Sequence, residues 1–432
     1  MRPGEHPNIL DVQARGEYLY AACGSAGVRV FDIAFVDDKA FSERITTAPV
    51  SPQGQQFFVK TRYATAVAAP STIVPDPTRD QPEINDEKPV PLMYGFIYVT
   101  DKYEGLVSIY AATLLDGNPL NNFLDQPDQP SVVRYNPGGM LDGARNLTIA
   151  GHYAYICCDR GLAIIDIEDP FKPRLVRLVS EGLTDVRAVE IQFRYAFVCD
   201  RDGIKVFEVT DLKAPRHVAT LPMKDARNIY IARSYAYVAA GRGGLKILDV
   251  TNPERPMLDQ VFDAKGKVND LNDVKLGITN VSEFAYLADG CNGLRVVQLT
   301  SASTPGNDGF SPRPIPRLVA TYPLPHGSKA LAVSEGIDRD RAVDESGNQI
   351  AVFGRVGAGP LSREDQQRMY FRNGKVWKVN DNPFDSGTYR FSTELLRQAV
   401  RPRYSNRTDS SNAANGSAQR TTVRSGPVSL KK

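Results

Sequence analysis

Four near-copies of one phrase, a period of 41 to 49 residues between their glycines, and short strand-and-turn segments inside each copy predict an all-β chain folded as a single β-propeller of four-stranded antiparallel blades. The copies read ARNLTIAGHYAYICCDRGLAIIDIEDPFKPRLVRLV from Ala144, VRAVEIQFRYAFVCDRDGIKVFEVTDLKAPRHVATL from Val186, ARNIYIARSYAYVAAGRGGLKILDVTNPERPMLDQV from Ala226 and, more loosely, NDVKLGITNVSEFAYLADGCNGLRVVQLT from Asn272. Gly161, Gly203, Gly244 and Gly293 open the third element of each copy, 42, 41 and 49 residues apart. The runs are rich in Val, Ile, Tyr and Leu and broken by Gly, Asp, Asn and Pro, which excludes helical repeats of similar length.

Each repeated position has a structural reason. The glycines fall where a tight turn joins the second and third strands and asks for a positive φ. Tyr153 and Tyr155, Tyr195 and Phe197, Tyr235 and Tyr237, and Phe284 and Tyr286 alternate around an alanine, so both aromatics of a blade point to one face and fill the space between blades. The acids ending third strands, Asp166, Glu208 and Asp249 among them, read as turn residues accepting backbone N–H bonds rather than as a carboxylate ring.

Two worn copies lie upstream, LDVQARGEYLYAACGSAGVRVFDI from Leu10 and YGFIYVTDKYEGLVSIYAAT from Tyr94, the second taking its first strand from YATAVAA at Tyr63. Segments 35–60, 68–92 and 301–316 are long loop insertions, the second holding six prolines. Downstream, KALAV from Lys329, NQIAVFG from Asn348 and KVWKVN from Lys375 supply parts of a divergent blade. Seven blades are therefore preferred over six, with residues 1–400 as one domain and the last blade borrowing a strand from the N-terminus to hide its edges. Residues 403–432 are polar, basic and too poor in apolar groups to pack, so disorder is expected there.

Among 432 residues, 42% are hydrophobic and 24% charged, with a net charge of +2 and interspersed signs. This balance gives no footprint for nucleic acid, and no apolar run has the roughly 18 to 20 residues of a membrane span. The N-terminal MRPGEHPNILDVQ lacks the apolar stretch of a signal peptide, as a cytoplasmic start would and as a fragment also would.

The third-element phrases GLAIIDI, GLKILDV, GVRVFDI and GIKVFEV, each followed by a turn with proline and a strand such as PRLVRLV, resemble the LVIVD repeat, a bacterial and archaeal propeller repeat. The resemblance covers about residues 8–322 and implies a propeller, commonly exported or at the cell surface and sometimes joined to other modules. It implies no catalytic set.

Chemistry is sparse in the repeated positions. His6, His152, His217 and His326 have no metal-binding spacing, and the five cysteines form no CxxC, so no metal and no cofactor is expected. The residues leading into the innermost strands are the candidate ligand site: Arg145, Asn146, Asp185, Arg187, Asp225, Arg227, Asn228, Asp270, Asn272 and Asp273. First strands line the channel of a propeller, so these groups gather at one mouth, where they either bind a small polar ligand or peptide or neutralise one another. Two functional readings follow. One is a non-catalytic module binding a protein partner or another part of a longer chain. The other is a lactonase-like hydrolase holding a divalent cation, calcium for instance, by oxygen ligands at the mouth.

Overall fold

In the computed structural model, the described residues are 8–15, 18–32, 58–70, 92–114, 124–125, 131–278, 282–307, 309, 311–325, 327–334, 371–372 and 375–376. They form six four-stranded antiparallel sheets, each built from strands consecutive in sequence. Blade 1 holds β1 (Asp11–Arg15), β2 (Tyr18–Ala22), β3 (Val28–Asp32) and β4 (Phe58–Val59). Blade 2 holds β5 (Ala64–Ala68), β6 (Phe96–Asp101), β7 (Gly105–Tyr110) and β8 (Val132–Tyr135). Blade 3 holds β9 (Asn146–Ala150), β10 (Tyr153–Cys158), β11 (Gly161–Asp166) and β12 (Arg174–Val179). Blade 4 holds β13 (Ala188–Gln192), β14 (Tyr195–Asp200), β15 (Gly203–Glu208) and β16 (Arg216–Pro222). Blade 5 holds β17 (Asn228–Ala232), β18 (Tyr235–Ala239), β19 (Leu245–Asp249) and β20 (Met257–Phe262). Blade 6 holds β21 (Asp273–Ile278), β22 (Glu283–Ala288), β23 (Leu294–Thr300) and β24 (Arg317–Tyr322).

Register explains the aromatic spacing. Tyr155 lies opposite Ile164, and Tyr237 opposite Ile247, so the second aromatic and the third strand share a face. That face packs on the small-residue face of the next blade, as where Tyr155 and Ile164 meet Val189, Ala196 and Val198. Five such cores join blades 1 to 6 in order. The sequence-predicted strand at Tyr63 is β5, paired with β6 across the 68–92 insertion, whereas the end of the segment expected as an insertion at 35–60 supplies β4, which completes blade 1 by pairing with β3.

The turn glycines do more than adopt a positive φ. A Cβ on Gly161, at φ 127°, would lie 2.1 Å from the Val179 carbonyl oxygen, and one on Gly203, at φ 138°, 2.2 Å from that of Leu221. The outer strand passes too close for any side chain.

The ring has a seventh place. Three isolated bridges tie the second turn of a blade to the start of the next innermost segment: Gly24 to Ala64, Gly241 to Leu271, and Gly290 to Ala330. Ala330 thus stands where β5 and the lead-in to β21 stand, which makes 329–334 the innermost segment of a seventh unit. Ser334 Oγ accepts the Ala14 amide at 2.7 Å and joins this segment to blade 1. All four strands of blade 1 come from residues 11–59, so β1 is not lent to a last blade as the sequence led us to expect. The candidate second strand at Asn348 and the tail at 403–432 lie outside the described residues. From KVWKVN, only β26 (Lys375–Val376), paired with β25 (Phe371–Arg372), is described.

Candidate functional site

The innermost strands of blades 4, 5 and 6 are each reached by a crossover that ends in a short polar motif: Asp185-Val-Arg187, Asp225-Ala-Arg227 and Asp270-Leu-Asn272. The backbone pins it, since the amides of Arg187 and Arg227 donate to the carbonyls of Cys199 and Ala239 at 2.8 Å. The two polar side chains of the motif then stand side by side at the rim.

There they form one continuous ladder. Arg145 pairs with Asp159 and reaches Asp185 at 3.1 Å. Arg187 holds Asp185 at 3.1 Å and reaches Asp225 at 3.2 Å. Arg227 holds Asp225 at 2.9 Å and reaches Asp270 at 3.0 Å and the Asn272 amide oxygen at 2.8 Å. Asn272 then donates from Nδ2 to the Ala330 carbonyl at 3.1 Å, carrying the ladder to the seventh place. Every arginine bridges its own blade's acid or turn and the acid of the following blade. Asp159 is exposed and the other groups remain partly open to solvent, which screens the pairs, so each link contributes roughly 0.2–1 kcal/mol, and four carboxylates face three guanidiniums.

Room for this ladder is built into the neighbouring turns. A Cβ on Gly241 would lie 1.9 Å from Asp225 Oδ2, and one on Gly290 1.9 Å from Asp270 Oδ2. Asp225 itself sits at φ 55°, a conformation that side-chain-bearing residues seldom adopt and in which Asp is among the enriched types. Burial works against the Arg227 charge, but its hydrogen bonds to Asp225 and Asp270 prevail and raise its pKa above the ordinary arginine value.

The other three sequence-predicted residues form a second tier one strand position further in. Asn146 Oδ1 accepts the Val189 amide at 3.2 Å, Asn228 Nδ2 donates to Asp273 Oδ1 at 2.6 Å, and Asp273 Oδ2 accepts the Val333 amide at 2.8 Å. Asp11 does the same for Val67 at 2.9 Å. Asx side chains thus stitch one innermost strand to the next. Burial pushes the Asp11 carboxyl up to about 7, against the Val67 and Val12 amides and Lys275, and the nearby Asp273 carboxylate adds to the rise.

Sequence reasoning missed Asp11, Asp159 and a third set directly beneath the rim. Asp101 and Asp200, which end the second strands of blades 2 and 4, and Asp289, which directly follows that of blade 6, are each fully buried. Asp200 accepts the Asp185 and Thr184 amides at 2.6 and 3.1 Å and pairs with Lys205 at 2.8 Å. Asp289 accepts the Asp270 amide at 2.8 Å and pairs with Arg295 at 2.7 Å. Asp101 accepts the amides of Tyr63, Tyr103 and Glu104. Blades 1, 3 and 5 carry Cys23, Cys158 and Ala240 at that position, so the signal was present as an alternation between blades.

The turn acids behave as expected: Asp166, Glu208 and Asp249 accept the amide two residues on at 3.0, 3.1 and 2.9 Å. Cys157 and Cys199 are core residues, and burial pushes both thiols well above their ordinary value. Among the described residues, one group of three His, Cys, Asp or Glu side chains can share an ion: His152, Asp166 and Glu168, with ligand atoms within 4.8 Å of one another. It lies at the end of the blade away from the mouth, and Asp166 is engaged by Arg174 at 2.7 Å. No described helix is long and apolar enough to cross a membrane.

No curated protein matches the chain in sequence. Among solved structures, it is similar to the computationally designed Ika8 protein at 10% identity, over 69% of this chain and 73% of that one, with a TM-score of 0.42. It is also similar to the Cps50 (Swd1) β-propeller domain of Myceliophteria thermophila at 10% identity, over 73% and 87%, with a TM-score of 0.41. Likeness to PorZ, a bacterial surface component of the type-IX secretion system of Porphyromonas gingivalis, covers 67% of this chain and 32% of PorZ, at 16% identity and a TM-score of 0.36. The LVIVD repeat matches residues 143–180 and 224–264, the spans of blades 3 and 5. The chain is thus a β-propeller that carries LVIVD repeats.

Proposed function

We propose that this propeller is a non-catalytic interaction module whose protein partner, or a further module of a longer chain, docks on the outer strand of blade 5. One contrast carries the reading. The exposed residues of β12 are Arg174 and Arg177, and those of β16 are Arg216, His217, Thr220 and Pro222, whereas those of β20 are Met257, Leu258 and Val261. These three side chains are 62%, 48% and 57% exposed, and Ile315 beside them 58%. The adjoining segment is fixed to β20, with Arg313 on Asp259 at 2.8 Å and Gln260 Nε2 on the Pro314 carbonyl at 2.9 Å. A fixed apolar patch with charge at its border is the surface a protein partner covers. The resemblance to LVIVD propellers supports an exported or cell-surface setting.

At the mouth, Asp185, Asp225 and Asp270 are each committed to an arginine, which favours a self-neutralising rim over a cation site. The test is photo-crosslinking in cells from a benzoylphenylalanine at Met257, with His217 as the matched position on β16. A discrete adduct from Met257, abolished by Val261→Asp and absent from His217, is expected. Equal labelling from both positions, or none, defeats the reading. Calcium that raises the melting temperature, with loss of the effect in Asp225→Asn, would instead favour the hydrolase.

A further inference from the structure

We infer that the seventh place of the ring is an internal docking site and that its occupant is this chain's own segment 348–380. The inference rests on the two walls of that place and does not depend on the blade 5 patch.

The first wall is the trailing face of blade 6. The second aromatic of the repeat is Tyr20, Tyr98, Tyr155, Phe197 and Tyr237 in blades 1 to 5, exposed by 1%, 0%, 3%, 0% and 1%. Its blade 6 counterpart, Tyr286, is 36% exposed. Val296, opposite Tyr286, is half-buried, whereas Val30, Ile164, Val206 and Ile247 are buried at 1% or less. At the rim of the same face, Tyr322 of β24 is 67% exposed, while at that register Val59 of blade 1 and Val179 of blade 3 are buried and Tyr135, Leu221 and Phe262 of blades 2, 4 and 5 are half-buried.

The second wall is the leading face of blade 1. Leu19 is half-buried, while Ile97, Ala154, Ala196, Ala236 and Ala285 at the same register are all at 0%. Its partner Phe31 is half-buried too, against 0 to 2% for Ile109, Ile165, Phe207, Leu248 and Val297. Both walls are therefore apolar blade faces of the kind that the other five interfaces cover completely.

The axial edge of the place is already set. Ala330, Val333 and Ser334 hold the innermost position through Gly290, Asp273 and Ala14. Segment 348–380 is comparable in length to the stretch from β10 through β12 and contains the apolar run NQIAVFG. It also holds the antiparallel pair β25–β26, joined by Asn373-Gly374, the dipeptide most favoured in a two-residue hairpin turn. Exposed blade faces and unpaired edges are what ring closure removes.

The experiment uses the full chain and its sole tryptophan, Trp377, which lies next to β26. Native emission is expected to be blue-shifted from that of the unfolded chain and resistant to acrylamide. Tyr286→Asp and Tyr322→Asp should each shift it red while circular dichroism retains the β signal, and Phe193→Asp, at a position 94% exposed, should not. If Tyr286→Asp does not fold, hydrogen exchange on the unmodified chain decides: amides of 371–376 and of Arg317–Tyr322 should be protected together. Trp377 emission equal to that of the unfolded chain, or unprotected amides at 371–376, overturns the assignment. Protection that vanishes on dilution together with a dimer also overturns it, since a second copy would then fill the place.

Discussion

Replacing Asp200 by asparagine removes one charge from beneath the rim and leaves everything else in place. Asp200 is 0% exposed and its partner Lys205 7%. An asparagine oxygen still takes the Asp185 amide, but Lys205 keeps only the Gly182 carbonyl and a 3.8 Å contact with the outlying Asp202. Breaking a buried pair from one side costs about 3–5 kcal/mol, because the surviving charge stays desolvated. The site lies just under a wet rim, so about 3 kcal/mol is expected, on the order of a hundredfold in the folding equilibrium. Urea unfolding should show a lower midpoint with an unchanged slope. The double variant with Lys205→Met should lose less than the two single losses added together. Burial opposes ionisation of Asp200, but Lys205 and the backbone amides outweigh it and hold the carboxyl below its ordinary 3.8. Its contribution is thus present above that value and lost as pH falls through the lowered one, and the variant should lack this acid limb. A loss under about 1 kcal/mol, or strict additivity with Lys205→Met, would refute the reasoning.

The Asp11 carboxyl, raised to about 7, has the opposite sign: its stabilisation is complete below 3.8 and is lost as pH rises toward 7. Asp11→Asn should therefore be nearly neutral in urea unfolding at pH 4 and more stable than the unmodified chain at pH 8, by up to about 4 kcal/mol. Gly203→Ala sets a Cβ 2.2 Å from a carbonyl oxygen at φ 138° and should cost more than 2 kcal/mol by the same assay, roughly the sum of strain and displacement. Cys291 is exposed while Cys23, Cys157, Cys158 and Cys199 are buried, so Ellman's reagent should titrate one thiol quickly in the native protein and five in urea. Burial also pushes Cys23 up to about 11, which keeps its reactive thiolate scarce at neutral pH.

The fold was legible because propeller positions recur for reasons of packing and turn geometry that act on each copy alike. Gly161 and Tyr155 announce themselves by repetition. The rim was legible too, since the motif Asp-x-Arg precedes β13 and β17 at the same offset. The direction of its ion pairs was not, because whether Arg187 turns to its own blade or the next depends on crossover geometry that no local pattern encodes. Asp200 escaped notice for a different reason. It ends an apolar strand, where a single acid resembles a turn residue, and its partner Lys205 stands opposite Val198 on the next strand, so that the pair forms on a diagonal that no local pattern encodes.

The rim ladder also bears on how such a chain can grow. Blades 4 and 5 each carry both halves of a joint, an acid that receives and a base that reaches forward, so duplicating either one duplicates a complete coupling and leaves the flanking ones intact. Growth by copying then needs no matched change in a neighbour, and only the ends of the series require special residues. Asp159 closes one end, and Asn272, standing where an arginine would, closes the other by taking a backbone carbonyl. Read this way, the polar rim is a record of serial order, with its start and its stop still marked.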